Sequence, residues 1–249
     1  MKVRKHVLAL VAGMVATAWL AAGGTAQAAF PNFSDCPTGA VVCLHIQNTS
    51  GNLNIKGFNM PLGDSLEIRG GLVRGVFTPP SGTTGLFGEP VAVPGGLLGI
   101  DFPIPGNTVW AITELAGSPS QIQVDTNELN LSVPVKVRLV NVLLGLNCHI
   151  GSDSSPVMLN LITGTTAPPP PATPISGHIA EPELIDERTV LFRGNRNVDN
   201  TFAVPGASRC GLGLGLINLL VNAKLRLPSA AGNNSIDVTN DLGVQVRFR

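Results

Sequence analysis

The chain has 249 residues, with 16 Lys and Arg against 16 Asp and Glu, and therefore no formal net charge. Its cations are scattered without a run, which excludes the basic stripe that nucleic-acid binding requires. Apolar residues make up 44% and charged residues 13% of the sequence, so the chain can bury a core and is not of the disordered class.

Residues 1–28 have the composition of a secretory signal peptide. Lys2, Arg4 and Lys5 form a basic start, an apolar stretch follows, and Ala26 and Ala28 supply the small residues of a cleavage site. Removal would leave a mature chain of residues 29–249, in which no apolar segment approaches the ~20 residues that span a bilayer. We therefore expect an exported protein, extracellular or at the cell surface, with no transmembrane segment in the mature chain.

After this leader, short β-branched runs alternate with clusters of Gly and Pro, which number 29 and 20. Turn-forming clusters that recur every ~8 to 12 residues are typical of the connections between strands in a sandwich or barrel. The predicted strands, in chain order, are 41–47, 53–58, 66–77, 109–115, 129–140, 157–163, 189–192 and 236–248. They predict a mainly β fold of antiparallel sheets, either as one mature domain or as two β subdomains with a boundary near 116–128.

The predicted strand at 129–140 has the clearest alternation. Lys136 and Arg138 fall on one face, and the other face carries apolar residues at 133, 135, 137 and 139. Because side chains alternate between the two faces of a strand, this pattern predicts a half-buried strand with a solvated outer side.

One short helix is predicted at about 212–225, ended before Pro228, because apolar residues recur there at 212, 216, 219, 220 and 223. We expect this apolar stripe to close one end of the β structure. Residues 79–107, which include the sequence GGLLGIDFPIP, are instead predicted to be long loops of the kind that often form binding surfaces.

The four cysteines of the chain predict disulfides, because an even number in an exported protein is the usual sign of them. Of the three possible pairings we prefer Cys36 with Cys43 and Cys148 with Cys210, since the first pair brackets a Pro-Thr-Gly turn. The sequence contains no C-x-x-C pair, which argues against zinc. No cofactor is expected.

The sequence GDSL at 63–66 looks like the nucleophile block of GDSL-type esterases. A hydrolase of that kind needs a histidine base for Ser65, together with a carboxylate and oxyanion donors. The D-x-x-H block of those enzymes is missing here, and the residues after the motif predict a strand rather than a helix. We therefore interpret the motif as a turn that leads into a strand. We interpret His45 and His149 as packed or surface residues, and we predict no catalytic residue.

Acidic residues cluster only at 181–187. A calcium loop needs oxygen ligands at alternating positions around a glycine, whereas Pro182 and Leu184 interrupt this cluster. The segment therefore predicts a solvated loop and no metal site.

The second half of the chain is similar to a known group of proteins. It contains PVKVRLVNVLLGLNCHIGSDSSPVMLNLITGTTAPPPPATPISG, VDNTFAVPGASRCGLG and LPSAAGNN in this order, within residues 134–234. Together they resemble a group of secreted proteins common in actinobacteria whose activity is not established. The resemblance implies an exported, β-rich protein with paired cysteines, and it implies no functional residue.

Three functions compete on these grounds. The first is a secreted or cell-surface protein that is not an enzyme and has a structural or interaction role. The second is an extracellular binding protein for an apolar ligand such as a lipid, suggested by GGLLGIDFPIP and the Leu-rich helix. The third is a serine esterase that acts through Ser65.

Overall fold

A computed structural model describes residues 30–99, 105–119, 121–124, 128–211 and 215–247. The predicted signal peptide at 1–28 lies outside the described residues. About 50% of the structure is strand and about 5% is helix, which confirms the predicted mainly β class.

The described residues form strands β1 to β15 and one helix, α1. In chain order the elements are β1 (Val42–Ile55), β2 (Phe58–Leu62), β3 (Glu67–Val73), β4 (Val76–Thr78), β5 (Leu86–Phe87), β6 (Val91–Ala92), β7 (Trp110–Leu115), β8 (Gln121–Val124), β9 (Leu129–Val140), β10 (His149–Ile150), β11 (Val157–Leu161), β12 (Pro182–Asp186), β13 (Thr189–Asp199), β14 (Ala207–Ser208), α1 (Leu216–Leu225) and β15 (Asn234–Val246).

The strands form two antiparallel sheets. The first sheet, sheet A, has the order β12-β13-β15-β1-β3-β4, with β2 also paired to β1 and β5 to β3. Its centre is the pairing of β1 with β15, which runs from Val42 opposite Val246 to Ile55 opposite Asn234. The N-terminal and C-terminal parts of the chain are therefore joined within one sheet.

The second sheet, sheet B, has the order β14-β10-β9-β7-β6, and β8 and β11 also pair with β9. In β9 the alternation predicted from the sequence is confirmed, because Val133, Val135 and Leu139 are buried while Lys136 and Arg138 are only half-buried. Each sheet contains strands that precede residues 116–128 in the chain and strands that follow them. In sheet B, for example, β7 before this segment pairs with β9 after it.

The hydrophobic core lies between the two sheets and draws on both. Leu44 and Leu242 from sheet A and Leu129 from sheet B are almost completely buried in it. On the outer face of sheet A, the N-terminal segment 30–36 covers the first half of β1, where His45 is buried and Cys43 forms a disulfide.

Both disulfides have the preferred pairing. Cys36 is bonded to Cys43 and Cys148 to Cys210, with sequence separations of 7 and 62 residues. No free cysteine is present. The long-range bond ties the loop that follows β9 to the segment that follows β14.

Several predicted boundaries are wrong. The strand predicted at 66–77 is a hairpin of β3 and β4, because Arg74 and Gly75 both have positive φ and reverse the chain between them. The strands predicted at 41–47 and 53–58 belong for the most part to the single strand β1. The acidic segment predicted to be a loop contains β12, an exposed strand at the edge of sheet A.

The helix is present but faces the other way from our prediction. It buries Val221 and Leu225, whereas Leu216, Leu219 and Leu220 are exposed, so the predicted stripe does not close the β structure. The reason is that Asn218 and Asn222 accept hydrogen bonds from the backbone around β14, at Cys210 and Ala207, which turns their face inward. Among the described residues, no helix has the length and apolar character that crossing a bilayer would need.

Candidate functional site

A cavity of about 180 Å³ lies between the two sheets of the described structure. Its walls are mostly apolar. The residues that line it are Ile46, Asn48, Leu53, Ile55, Phe58, Met60, Leu62, Leu66, Glu67, Ile68, Leu86, Val93, Ala111, Thr113, Leu131, Val133, Val135, Val137, Leu139, Ile150, Val157, Leu159, Leu161, Phe202, Val204, Leu225, Ile236, Val238 and Asn240.

Strand β9 forms one wall of the cavity along most of its length. Every second residue, Leu131, Val133, Val135, Val137 and Leu139, lines the cavity. This follows from the alternation of side chains between the two faces of a strand, which places all odd-numbered residues of this segment on the inner face. The alternation that predicted a half-buried strand therefore also accounts for this wall of the cavity.

The opposite wall comes from sheet A, where Ile236 and Val238 of β15 and Ile46 of β1 line the cavity. The lining side chain Val137, on the wall of sheet B, is only half-buried. Closely packed interiors leave few voids larger than a water molecule. The side chains of the two sheets therefore do not fill the space between them.

The few polar residues on the wall are mostly engaged elsewhere. The side-chain amide of Asn48 donates to the carbonyl of Gly63, and that of Asn240 donates to Oδ1 of Asn197 at 2.9 Å. A site with such walls suits a molecule that is apolar throughout or has a single polar group.

The volume limits the size of a ligand. An engineered cavity of roughly 150 Å³ lined by Leu, Ile and Phe stays dry and binds benzene, whereas sites for drug-sized molecules measure roughly 300 to 1,000 Å³. At about 180 Å³, this cavity matches a single ring or a short alkyl chain.

Comparison with known proteins adds no constraint. No family model, curated protein or solved structure matches the chain.

Ser65 lies in the connection between β2 and β3, as the sequence predicted. The histidines with described side-chain contacts are engaged with other groups. His45 contacts Asn32 and Glu67, and His149 donates from Nδ1 to the carbonyl of Asn147. No base is brought to the serine by these contacts.

His45 instead anchors the N-terminal segment. Its Nδ1 accepts a hydrogen bond of 2.8 Å from the backbone N–H of Asn32, and its ring lies 4.8 Å from the ring of Phe30. Its Nε2 lies 3.5 Å from Oε2 of Glu67. Burial lowers the pKa of His45 below its usual value, although the carboxylate of Glu67 opposes this shift, so the ring is neutral at pH 7.

Next to His45, Arg69 forms a salt bridge of 3.0 Å with Asp35 and lies over the ring of Phe87 at 4.0 Å. Asp35 belongs to the same N-terminal segment as Phe30 and Asn32. This part of the outer face of sheet A is thus a packed anchoring surface for residues 30–36.

The outer face of sheet B carries a row of charges. Glu114 accepts a hydrogen bond of 2.6 Å from Nε of Arg138, and its carboxylate lies 3.7 Å from Nε2 of His149. Lys136 bonds to Asp153 at 2.7 Å and thereby lowers the pKa of that carboxyl below its usual value. In the part of the chain that the structure describes, no group of three or more His, Cys, Asp or Glu residues could hold a metal ion.

A buried amide network at β13 was missed by our sequence predictions. Asn195 donates to the carbonyls of Phe192 and Asn240, the amide of Asn240 bonds to Asn197, and Asn197 donates at 2.8 Å to the carbonyl of Leu129. Asparagines at alternate positions of a strand place polar groups on one face, and that spacing at 195 and 197 was the available signal.

Proposed function

We propose that this protein is an extracellular, non-enzymatic binding protein for a small apolar ligand, which it holds between its two sheets. The observation that carries the proposal is the aliphatic cavity of about 180 Å³, lined from both sheets. An apolar void of this size costs stability when it is empty, because its lining atoms lose their contacts. A bound apolar molecule restores those contacts.

The compartment is supported by the cysteines. Both disulfides join residues of the described chain and no cysteine is free. Such bonds persist in oxidising environments outside the cytosol. Export through the predicted leader at 1–28 supplies the route to that compartment.

The described contacts of His45 and His149 are with groups other than Ser65, which favours binding over ester hydrolysis. The polar wall residues Asn48 and Asn240 are already hydrogen-bonded, which favours a ligand with little or no polar surface.

The test is titration calorimetry of the disulfide-intact protein with benzene and with n-hexane. We expect saturable binding with one site and a negative heat-capacity change, the mark of apolar burial. Filling the cavity with Ala111→Ile should abolish binding, because Ala111 lines the cavity and is buried. The control is Met158→Ile, since Met158 points outward from β11 between two lining residues.

Loss of binding in Ala111→Ile with retention in Met158→Ile would support the proposal. If neither benzene nor n-hexane binds the unaltered protein, or if Ala111→Ile binds them as well as the unaltered protein does, the cavity is not a ligand site.

A further inference from the structure

Three connections leave sheet B at the same end. They follow β6, β9 and β14. Each leaves the sheet at the end of the strands where Trp110 of β7 pairs with Val140 of β9. We call the described residues of 93–99, 105–109, 141–147 and 211–220 the apolar end. None of its exposed aliphatic side chains lines the cavity between the two sheets.

Large aliphatic side chains project into solvent from all three connections. Each is between 60% and 85% exposed. They are Leu98, Val142, Leu143, Leu146, Leu216, Leu219 and Leu220. Single exposed leucines are ordinary on protein surfaces, but a cluster of this size at one end of a molecule marks an interaction site.

These side chains are held outward by a bonded framework. The side-chain amide of Asn141 donates to the carbonyls of Gly106 and Thr108, both at 2.8 Å, and so joins the first connection to the second. The N–H of Gly211 donates to the carbonyl of Leu144 at 2.7 Å, and so joins the second to the third. The disulfide between residues 148 and 210 fixes the same junction.

The side-chain oxygens of two framework amides accept internal hydrogen bonds. Asn107 accepts from the N–H of Leu98 through its side chain, and Asn218 accepts from the N–H of Cys210. Protein interfaces usually carry a hydrogen bond for every ~100 to 200 Å² and are enriched in Arg and aromatic residues. The projecting residues of the apolar end are all aliphatic, which suits hydrocarbon better than a protein partner.

Charge changes sharply at the base of the apolar end. The sequence has no charged residue in 139–148 or 211–223. On β9, the outward charged row of Lys136 and Arg138 ends two residues before Val140, and Trp110, opposite Val140, is exposed. Two strand residues span about 7 Å. An aliphatic tip, then a tryptophan, then charges is the order found across a membrane interface.

We propose that the apolar end inserts into the surface of an uncharged or zwitterionic lipid layer and thereby docks the exported protein on it. The aliphatic side chains enter the acyl region, Trp110 lies at the headgroup level, and Lys136 and Arg138 remain in water. Because no cation lies among the described residues of the tip, anionic headgroups contribute nothing essential.

The test is flotation of the disulfide-intact protein with phosphatidylcholine vesicles. We expect binding that is insensitive to added salt and unchanged by anionic phosphatidylglycerol, with a blue shift of the Trp110 emission. The double variant Leu143→Asp with Leu219→Asp should lower the partition coefficient at least about tenfold, since charged groups are strongly disfavoured in the acyl region.

Leu184→Asp is the matched control, because Leu184 is an equally exposed leucine on β12, outside the apolar end. Thermal unfolding should be the same for all variants, since none of the replaced side chains is buried. If the helix variant folds poorly, Leu146→Asp in the second connection gives the same test.

Three results would overturn the proposal. The first is absence of binding to phosphatidylcholine vesicles. The second is binding only to anionic vesicles, weakened by salt, which would indicate a purely electrostatic contact. The third is a dimer in sedimentation equilibrium that the double variant abolishes, which would assign the apolar end to a second copy of the chain. None of these results depends on whether benzene or n-hexane binds in the cavity.

Discussion

Filling the cavity should stabilise the protein, although the same substitution normally disrupts a core. Ala111 is 3% exposed, lies opposite Leu139 and borders the void. Ala111→Ile adds three carbon atoms, each worth about 0.8 kcal/mol when buried, so the upper limit of the gain is about 2 kcal/mol. Inserting the same atoms into a filled core costs about 1 to 3 kcal/mol.

The matched control is Ala207→Ile. Ala207 is also buried in a strand, opposite Ile150, but it does not border the cavity. Urea unfolding should therefore give a higher midpoint for Ala111→Ile and a lower one for Ala207→Ile, with unchanged slopes. If Ala111→Ile destabilises the protein as much as Ala207→Ile does, the space beside Ala111 is not a void. The cavity then cannot hold the proposed apolar ligand.

Two further predictions concern stability. The pKa of His45 is lowered in the folded protein, so its contribution is complete above pH 6.5 and decreases as the pH falls below that value, by up to about 1.4 kcal/mol per pH unit. His45→Gln should flatten the pH dependence of the urea midpoint between pH 7 and pH 5, and a slope that persists in this variant would refute the assignment to His45. Replacing Cys148 and Cys210 by Ser should lower the free energy of unfolding by about 4 kcal/mol, since their bond closes a loop of 62 residues. The bond between Cys36 and Cys43 closes a loop of seven residues, for which about 2 kcal/mol is expected. A loss no greater than that smaller value would contradict the dependence on loop length.

The strand β9 and the two disulfides could be predicted because each depends on local or countable features. Strict alternation identifies a half-buried strand whatever its partners are. An even number of cysteines in an exported chain limits the pairings, and the turn between Cys36 and Cys43 favours one of them.

The continuity of β1 could not be predicted, because residues 48–52 read Asn-Thr-Ser-Gly-Asn and favour a turn. In the structure β15 pairs with this segment on one side and β2 begins to pair at Gly51 on the other. Gly51 is required there, since a Cβ would lie 2.8 Å from the carbonyl oxygen of Asp237. Pairing with distant strands overrode the local preference.

The cavity and the outward orientation of the leucines of α1 also could not be predicted from the sequence. Apolar residues at helical spacing predict an apolar face but not whether that face meets protein, ligand or lipid. The inward face is chosen by Asn218 and Asn222, whose partners are backbone groups near β14. The size of the void depends on the separation of the two sheets, to which many side chains contribute at once.

The amide network at β13 limits how this strand can be aligned with β15. Sliding β13 by two residues would keep every apolar side chain on its own face, so hydrophobicity alone tolerates that error. Such a shift would move Asn195 from its position opposite Asn240 to one opposite Val238 or Leu242. Buried amides would then be left without hydrogen-bond partners. The asparagines therefore exclude misaligned states that the apolar pattern permits, and they favour a single native alignment during folding.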